Sequence, residues 1–300
     1  MKSCSSSIAL ASSAIVANVW LLRDCDGQRF LIDTGVRTER MALDASLRRA
    51  GIRNRGDLNA IFLTHRHCDH AGNAAWLRER FGCPIYCHAE DAQILSGQAA
   101  REPLRRGIGS VYDELCCGIE DLTAVRLDVD DAFALGAWKH GFEGFAAFGH
   151  TEGSVLLYHR ATATLFTGDA LLSGVPPLRT HERFSLAIPA YSLDVDQCHD
   201  HVRSFLRDHP KVQQLCAGHG PFVGDDVEQK LAAFARSIER VQKPTRAIAG
   251  IWGAATWHSG INAVQARLER ATETVAETAP QVRAAIERSR ALANGLSSRR

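Results

Sequence analysis

The chain has no long apolar run. None of its 300 residues lies in a stretch long and apolar enough to cross a bilayer, so no membrane-spanning role is expected. It has no excess of either charge. Thirty-five Lys and Arg stand against 34 Asp and Glu, a formal net charge of +1, which offers no basic surface to a nucleic-acid backbone. It also lacks a disulfide framework. The nine cysteines are odd in number and show no paired spacing, so reduced thiols in a cytoplasmic protein are the expectation. Cys116-Cys117 and the pair Cys83 and Cys87 have no second pair at zinc-finger spacing, and both read as structural thiols. What remains is an ordinary mixture, 45% hydrophobic and 23% charged, enough for one large domain with a small appendage.

Against that plain background one stretch stands out: Leu63-Thr64-His65-Arg66-His67-Cys68-Asp69-His70-Ala71-Gly72-Asn73. The apolar run Ala60, Ile61, Phe62 and Leu63 before it reads as the end of a buried strand. Ala74, Leu77 and Phe81 after it fall at helical spacing. The turn between them therefore gathers His65, His67, Asp69 and His70. Residues two apart on a strand share a side, so His65 and His67 can reach one ion while Asp69 and His70 face a second position. Imidazole and carboxylate suit zinc, iron or manganese.

Other strands end the same way. Near the N-terminus, Lys2 and the small apolar stretch 8–19 have the outline of a signal peptide. The run 15–22 leading into Arg23-Asp24-Cys25-Asp26-Gly27 reads better as a strand and hairpin turn, with a partner strand at 28–32. That second strand ends in Asp33-Thr34-Gly35. Asp33 is either a partner fixing a ligand histidine or the N-cap of a helix over 39–50, which Gly51 stops. A strand at 84–87 leads to His88, which lacks a partner at ligand spacing and reads as a surface residue. Residues 94–119, with Arg101, Arg105 and Arg106, are either a solvated helix and loop or an insertion over the site.

Strands are expected at 125–127, 133–135 and 142–148, the last running into Gly149-His150-Thr151-Glu152-Gly153-Ser154. Strands 155–158 and 163–166 follow, the second ending in Thr167-Gly168-Asp169. A helix with Val195, Val202 and Phe205 on one face precedes strand 212–216, which ends in Ala217-Gly218-His219-Gly220. Two sheets with helices outside would bring these strand ends to one edge. His65, His67 and His150 would then hold one ion, Asp69, His70 and His219 another, and Asp169 would bridge them.

This series, TH-x-H-x-DH, GHT-x-GS, TGD and GHG over about residues 14 to 225, resembles that of the metallo-β-lactamase superfamily. The resemblance implies the α/β fold class, an αββα sandwich over 1–225, and two divalent ions per chain, most simply zinc, with iron or manganese as alternatives. It implies a hydrolase in which a metal-activated hydroxide attacks an ester or thioester, with Asp69 orienting the hydroxide. The bridging Asp169 is closer to the hydroxyacylglutathione hydrolase (glyoxalase II) branch than to the true β-lactamases. The full ligand set fits a dinuclear site better than the mononuclear iron of the persulfide dioxygenases. Acyl-homoserine lactonases often carry a tyrosine three residues past the bridging aspartate, where this chain has Leu172. A lactonase or phosphodiesterase on the same site is the alternative, and a metal-containing regulatory protein with little turnover is another. A redox role would need a flavin or rubredoxin module that the chain has no room for.

Residues 226–300 read as a helical extension that covers the site or mediates a homodimer. Leu231, Phe234, Ile238 and Val241 mark one apolar face, and Ile261, Val264, Leu268, Ala271 and Val275 another. Trp252, Trp257 and His258 lie in the connection between them, as pocket residues or as packing. Tyr191 reads as a packed aromatic or a pocket residue. The expected partner is a small-molecule substrate, with neither nucleic acid nor membrane.

Overall fold

A computed structural model describes residues 7–13, 17–104, 111–174 and 182–240. The first sheet takes its six strands in chain order: β1 (Ser7–Ser13), β2 (Asn18–Arg23), β3 (Arg29–Ile32), β4 (Ala60–Phe62), β5 (Ile85–His88) and β6 (Asp131–Phe133). β1 to β3 pair antiparallel and β3 to β6 pair parallel. Parallel neighbours need a crossover. The crossovers are α1 (Arg40–Arg49), then α2 (Cys68–Ala71) with α3 (Ala74–Phe81), then α4 (Ala89–Ser96) with α5 (Val111–Leu122).

The second sheet is built from β7 (Gly136–Ala137), β8 (Phe142–Ala146), β9 (Val155–His159), β10 (Thr164–Gly168) and, further on, β13 (Gln214–Ala217). Its order is β13-β10-β9-β8-β7. A small ladder joins β11 (Leu171–Leu172) to β12 (Ser185–Leu186). Helices α6 (Val195–Arg207) and α7 (Val227–Arg240) complete the described elements.

Alternation along the strands sorts the core into three layers. Val19, Leu21, Leu31, Ile61, Ile85 and Cys87 pack with Leu43, Leu47, Leu77 and Phe81 of the helices outside the first sheet. Trp20, Leu22, Phe30, Phe62 and Tyr86 take the opposite faces and meet Phe142, Leu157 and Phe166 of the second sheet. Leu156, Leu165 and Leu215 point away from that interface and pack with Cys198, Val202, Phe205 and Leu231 of α6 and α7. The layers run helix, sheet, sheet, helix, the αββα arrangement of the α/β class. A one-residue slip of β3 would exchange Phe30 and Ile32 with Leu31 between the inter-sheet and helix-side layers, each of which is packed around a side chain of another shape.

Several expectations need correction. Residues 7–13, inside the stretch with a signal-peptide outline, form an edge strand on β2. Residues 125–127 bury Val125 and Leu127 without joining a sheet; the Leu127 amide donates to the Leu95 carbonyl at the end of α4. His88 is buried, packed on Phe133 and Phe148 and accepting from the Glu90 amide as the cap of α4. Cys68, Cys83, Cys87, Cys116, Cys117, Cys198 and Cys216 are free thiols, but Cys25 is disulfide-bonded, contrary to an all-thiol chain. Among the described residues no helix is long and apolar enough to cross a membrane.

Candidate metal centre

Chain direction brings the polar strand ends together. Asp33 follows β3, His65 and His67 follow β4, His150 follows β8, Asp169 follows β10 and His219 follows β13. Three overlapping groups of these residues result, His65 with His67 and His150, His65 with His70 and Asp169, and Asp69 with His70 and His219, and Cys68, Asp69 and Glu120 form a fourth beside them; within each, one donor atom per residue lies within 4.8 Å of the others. Asp169 touches both sides. Its Oδ1 is 3.2 Å from His70 Nε2 and 3.3 Å from His219 Nε2, and its Oδ2 is 3.7 Å from His150 Nε2. Asp69 Oδ2 lies 3.7 Å from both His70 Nε2 and His219 Nε2.

Hydrogen bonds fix which nitrogen each ring offers. The Thr64 hydroxyl donates to Asp33, so at 3.0 Å its oxygen accepts from His65 Nδ1–H. The Ser192 hydroxyl donates to the Ile188 carbonyl, so at 3.1 Å it accepts from His150 Nδ1–H. Asp33 Oδ2 accepts from His70 Nδ1–H at 2.8 Å. Three rings are thus held with the proton on Nδ1 and the lone pair on Nε2. Those Nε2 atoms, that of His67 and Asp169 Oδ1 are buried with no hydrogen-bond partner. Unpaired buried polar atoms are costly and rare. A cluster of them, all electron-pair donors, is what a metal ion requires, and this donor set fits one.

Electrostatics agree for His65, His67 and His150 and run the other way for His70, whose charged form the neighbouring carboxylates favour. Burial, helped by neighbouring imidazoles, holds His65 and His67 well below the ordinary histidine range. Burial takes His150 down to about 4, with Asp169 pulling the other way. For His70 burial is outweighed by Asp169, Asp69 and Asp33, which raise it well above its usual value. Burial opposes the Asp169 charge, but His219 and His70 more than offset it and keep the carboxyl ionised. Glycines make room for this closeness. A Cβ at Gly218 would lie 2.5 Å from Asp169 Oδ1 and 2.7 Å from His70 Cε1, and one at Gly168 (φ +47°) 2.6 Å from Thr64 Oγ1.

Behind the histidine loops sits a buried ion pair. The Arg66 guanidinium lies 3.7 Å from Asp91 Oδ1 and donates to Glu152 Oε2 at 2.7 Å. Asp91 in turn accepts from the Arg66 amide, the Thr151 hydroxyl and the Gly153 amide. One carboxylate on α4 therefore ties the loop of His65 and His67 to the loop of His150.

The description "Metallo-beta-lactamase superfamily" fits residues 14–242 of the sequence. The chain belongs to that superfamily. Among its relatives, the probable metallo-hydrolase YybB of Bacillus subtilis is 28% identical over 214 residues, 69% of this chain and 81% of that one. A hydroxyacylglutathione hydrolase of Bdellovibrio bacteriovorus is 29% identical over 118 residues, 39% of this chain and 36% of that one. The crystal structure of TTHA1623 in a di-iron-bound form superposes with a TM-score of 0.51 at 24% identity, covering 72% of this chain and 93% of that one, a likeness of fold.

Within this superfamily fold the structure brings together His65, His67, Asp69, His70, His150, Asp169 and His219. Asp33 lies against His70 and does not cap the helix that follows. Tyr191 packs beside the site, its hydroxyl donating to Asp113 on α5 at 3.2 Å. Trp252, Trp257 and His258 lie outside the described residues. Thr64 and Ser192 carry no sequence signal beyond adjacency, Thr64 to His65 and Ser192 to Tyr191. Asp33 has a positive φ of 59°, a conformation asparagine also tolerates, so Asp33→Asn tests its charge without backbone strain. The variant is expected to bind metal about 10–100-fold more weakly, measured by equilibrium dialysis. Unchanged affinity would mean that Asp33 does not orient His70.

Proposed function

We propose that this chain is a metal-dependent hydrolase whose two-ion centre cleaves an ester or thioester, in the manner of a hydroxyacylglutathione hydrolase. The observation that carries the reading is the set of tautomer-locked rings whose Nε2 atoms are buried, convergent and unpaired. His65, His67 and His150 would hold one ion, Asp69, His70 and His219 the other, with Asp169 shared between them. Divalent cations bound there, zinc by the donor set, supply Lewis acidity and a hydroxide near neutral pH.

The chain's own part is positioning and proton handling. Asp69 is half-buried, with Oδ2 toward the histidines; its second oxygen can accept the proton of an attacking water. Thr64, Asp33 and Ser192 keep the rings from turning. The thioester rests on Asp169, a carboxylate shared by both clusters, and on the activity that the Bdellovibrio relative's name states. A cytoplasmic location is inferred from the seven free thiols, with the Cys25 disulfide as the observation against it.

The test is turnover by zinc-loaded protein of an acyl-glutathione thioester, a simple lactone, an activated phosphodiester and a cephalosporin, with Asp69→Ala protein alongside. Thioester cleavage is expected, falling by about 10²–10⁴-fold in the variant, the range for losing a positioned proton acceptor. Cleavage of the lactone or phosphodiester alone would replace the substrate class. Two bound ions with no turnover above the variant on any substrate would overturn the hydrolase reading.

A further inference from the structure

The turn that carries Asp69 and His70 is α2, and it has no cap of its own. Its N-cap residue, His67, makes no side-chain capping bond. A helix start leaves amide donors unpaired, and the first of them here is Cys68 N–H. It donates at 2.8 Å to Glu120 Oε2, 52 residues further on in α5. Cys68 is also the residue at which the chain passes from His67, in one ligand group, to Asp69, in the other. The orientation of its peptide sets how the two groups face each other.

We propose that Glu120 is a positioning residue for the metal centre, a remote cap that fixes the Cys68 amide and with it the Asp69 side of the site. Glu120 is itself held. It is buried, and Arg101 donates to its Oε1 at 2.6 Å, so a carboxylate next to Asp69 does not stand as an uncompensated charge. Helix α5 is pinned to the other half of the centre as well. Asp113 accepts from Tyr191, and the Cys117 thiol donates to the Ala190 carbonyl at 3.1 Å. Ser192, which follows Tyr191, is the residue that holds His150. α5 thereby touches the supports of both ligand groups, a role that the composition of its residues does not show.

The inference rests on the two-ion reading, and its test separates the two. Metal-free wild-type, Glu120→Ala and Glu120→Gln proteins are titrated with cobalt(II), followed by visible absorption, and amide hydrogen exchange is measured over residues 64–73. The alanine variant is expected to lose exchange protection at 68–70 and to bind the second cobalt equivalent about 10–100-fold more weakly, with the first unchanged. The glutamine variant still offers an oxygen to Cys68 N–H and is expected to recover most of both. Should the alanine protein not fold, unaltered protection and a retained second equivalent in the glutamine protein sustain the cap, and their loss overturns it. Equal weakening of both equivalents, or unchanged exchange, also overturns it. If the wild type binds a single equivalent, the two-ion reading fails, and the exchange pattern alone decides on Glu120.

Discussion

An Asp169→Ala protein is expected to fold, to retain at most one tightly bound metal ion, and to lose more than about 10³-fold in turnover. Asp169 Oδ1 is within 3.3 Å of nitrogens from both His70 and His219, and its other oxygen faces His150. Without it the site keeps five imidazoles and Asp69, on one side only. A shared carboxylate both lowers the repulsion between two cations and fixes their separation. Lewis-acid stabilisation of this kind is worth several kcal/mol, and each 1.4 kcal/mol is tenfold in rate. Asp169→Asn should behave similarly, because the amide carries no charge. The measurements are metal content by atomic spectroscopy, turnover of the best substrate from the panel, and circular dichroism for the fold. Two retained ions with turnover within tenfold of wild type would mean that Asp169 is not shared between the groups.

Much of this centre was legible because local pattern decides it. Short continuous apolar runs identify β2, β3, β4, β9 and β10, since each strand is buried on both faces and divides its side chains between two layers. The gathering of metal-competent side chains at strand ends follows from chain direction. The supports were not legible. Thr64, Ser192, Asp91 and Glu120 are common polar residues at ordinary spacings, and what distinguishes them is a partner 25 to 62 positions away. Residues 125–127 failed for a related reason. They carry the alternation of a strand, but their buried face is satisfied by packing under α4 and their backbone by Leu95. His88 failed in the opposite direction, because a histidine without a ligand partner can still be buried when aromatic rings and a helix amide take up its two faces.

The largest effect on stability is expected at Arg66, which is fully buried. Arg66→Met should destabilise the protein by about 3–5 kcal/mol at pH 7.5, the cost of leaving one partner of a buried pair uncompensated. For a domain of this size that is a fall in Tm of about 6–20 °C. Its pH dependence follows from Asp91, whose carboxyl burial pushes up to about 6 while Arg66 pulls it down. A carboxyl raised above its unfolded value of about 4 contributes stability in full below that pH and loses it as pH rises through its folded value. Removing Arg66 lifts the folded value further, so the variant holds a neutral Asp91 over a wider range. Wild type and variant therefore converge on acidification, and the deficit at pH 5 should be smaller than at pH 7.5. The other ionisable groups facing the pair are Glu152, part exposed, the buried Cys87 thiol, which stays neutral throughout this range, and the His67 and His150 imidazoles, which burial holds below the ordinary histidine range. Arg66→Met with Asp91→Asn should recover part of the loss, because neither charge is then left alone. Thermal melts of wild type, Arg66→Met, Asp91→Asn and the double variant at both pH values check this. A deficit that is unchanged at pH 5, or a double variant no better than the single, would show that Arg66 acts through Glu152 rather than Asp91. The tie between the His65 and His150 loops would then run through the Arg66–Glu152 pair and through the bonds that Asp91 accepts from the Arg66 and Gly153 amides and the Thr151 hydroxyl.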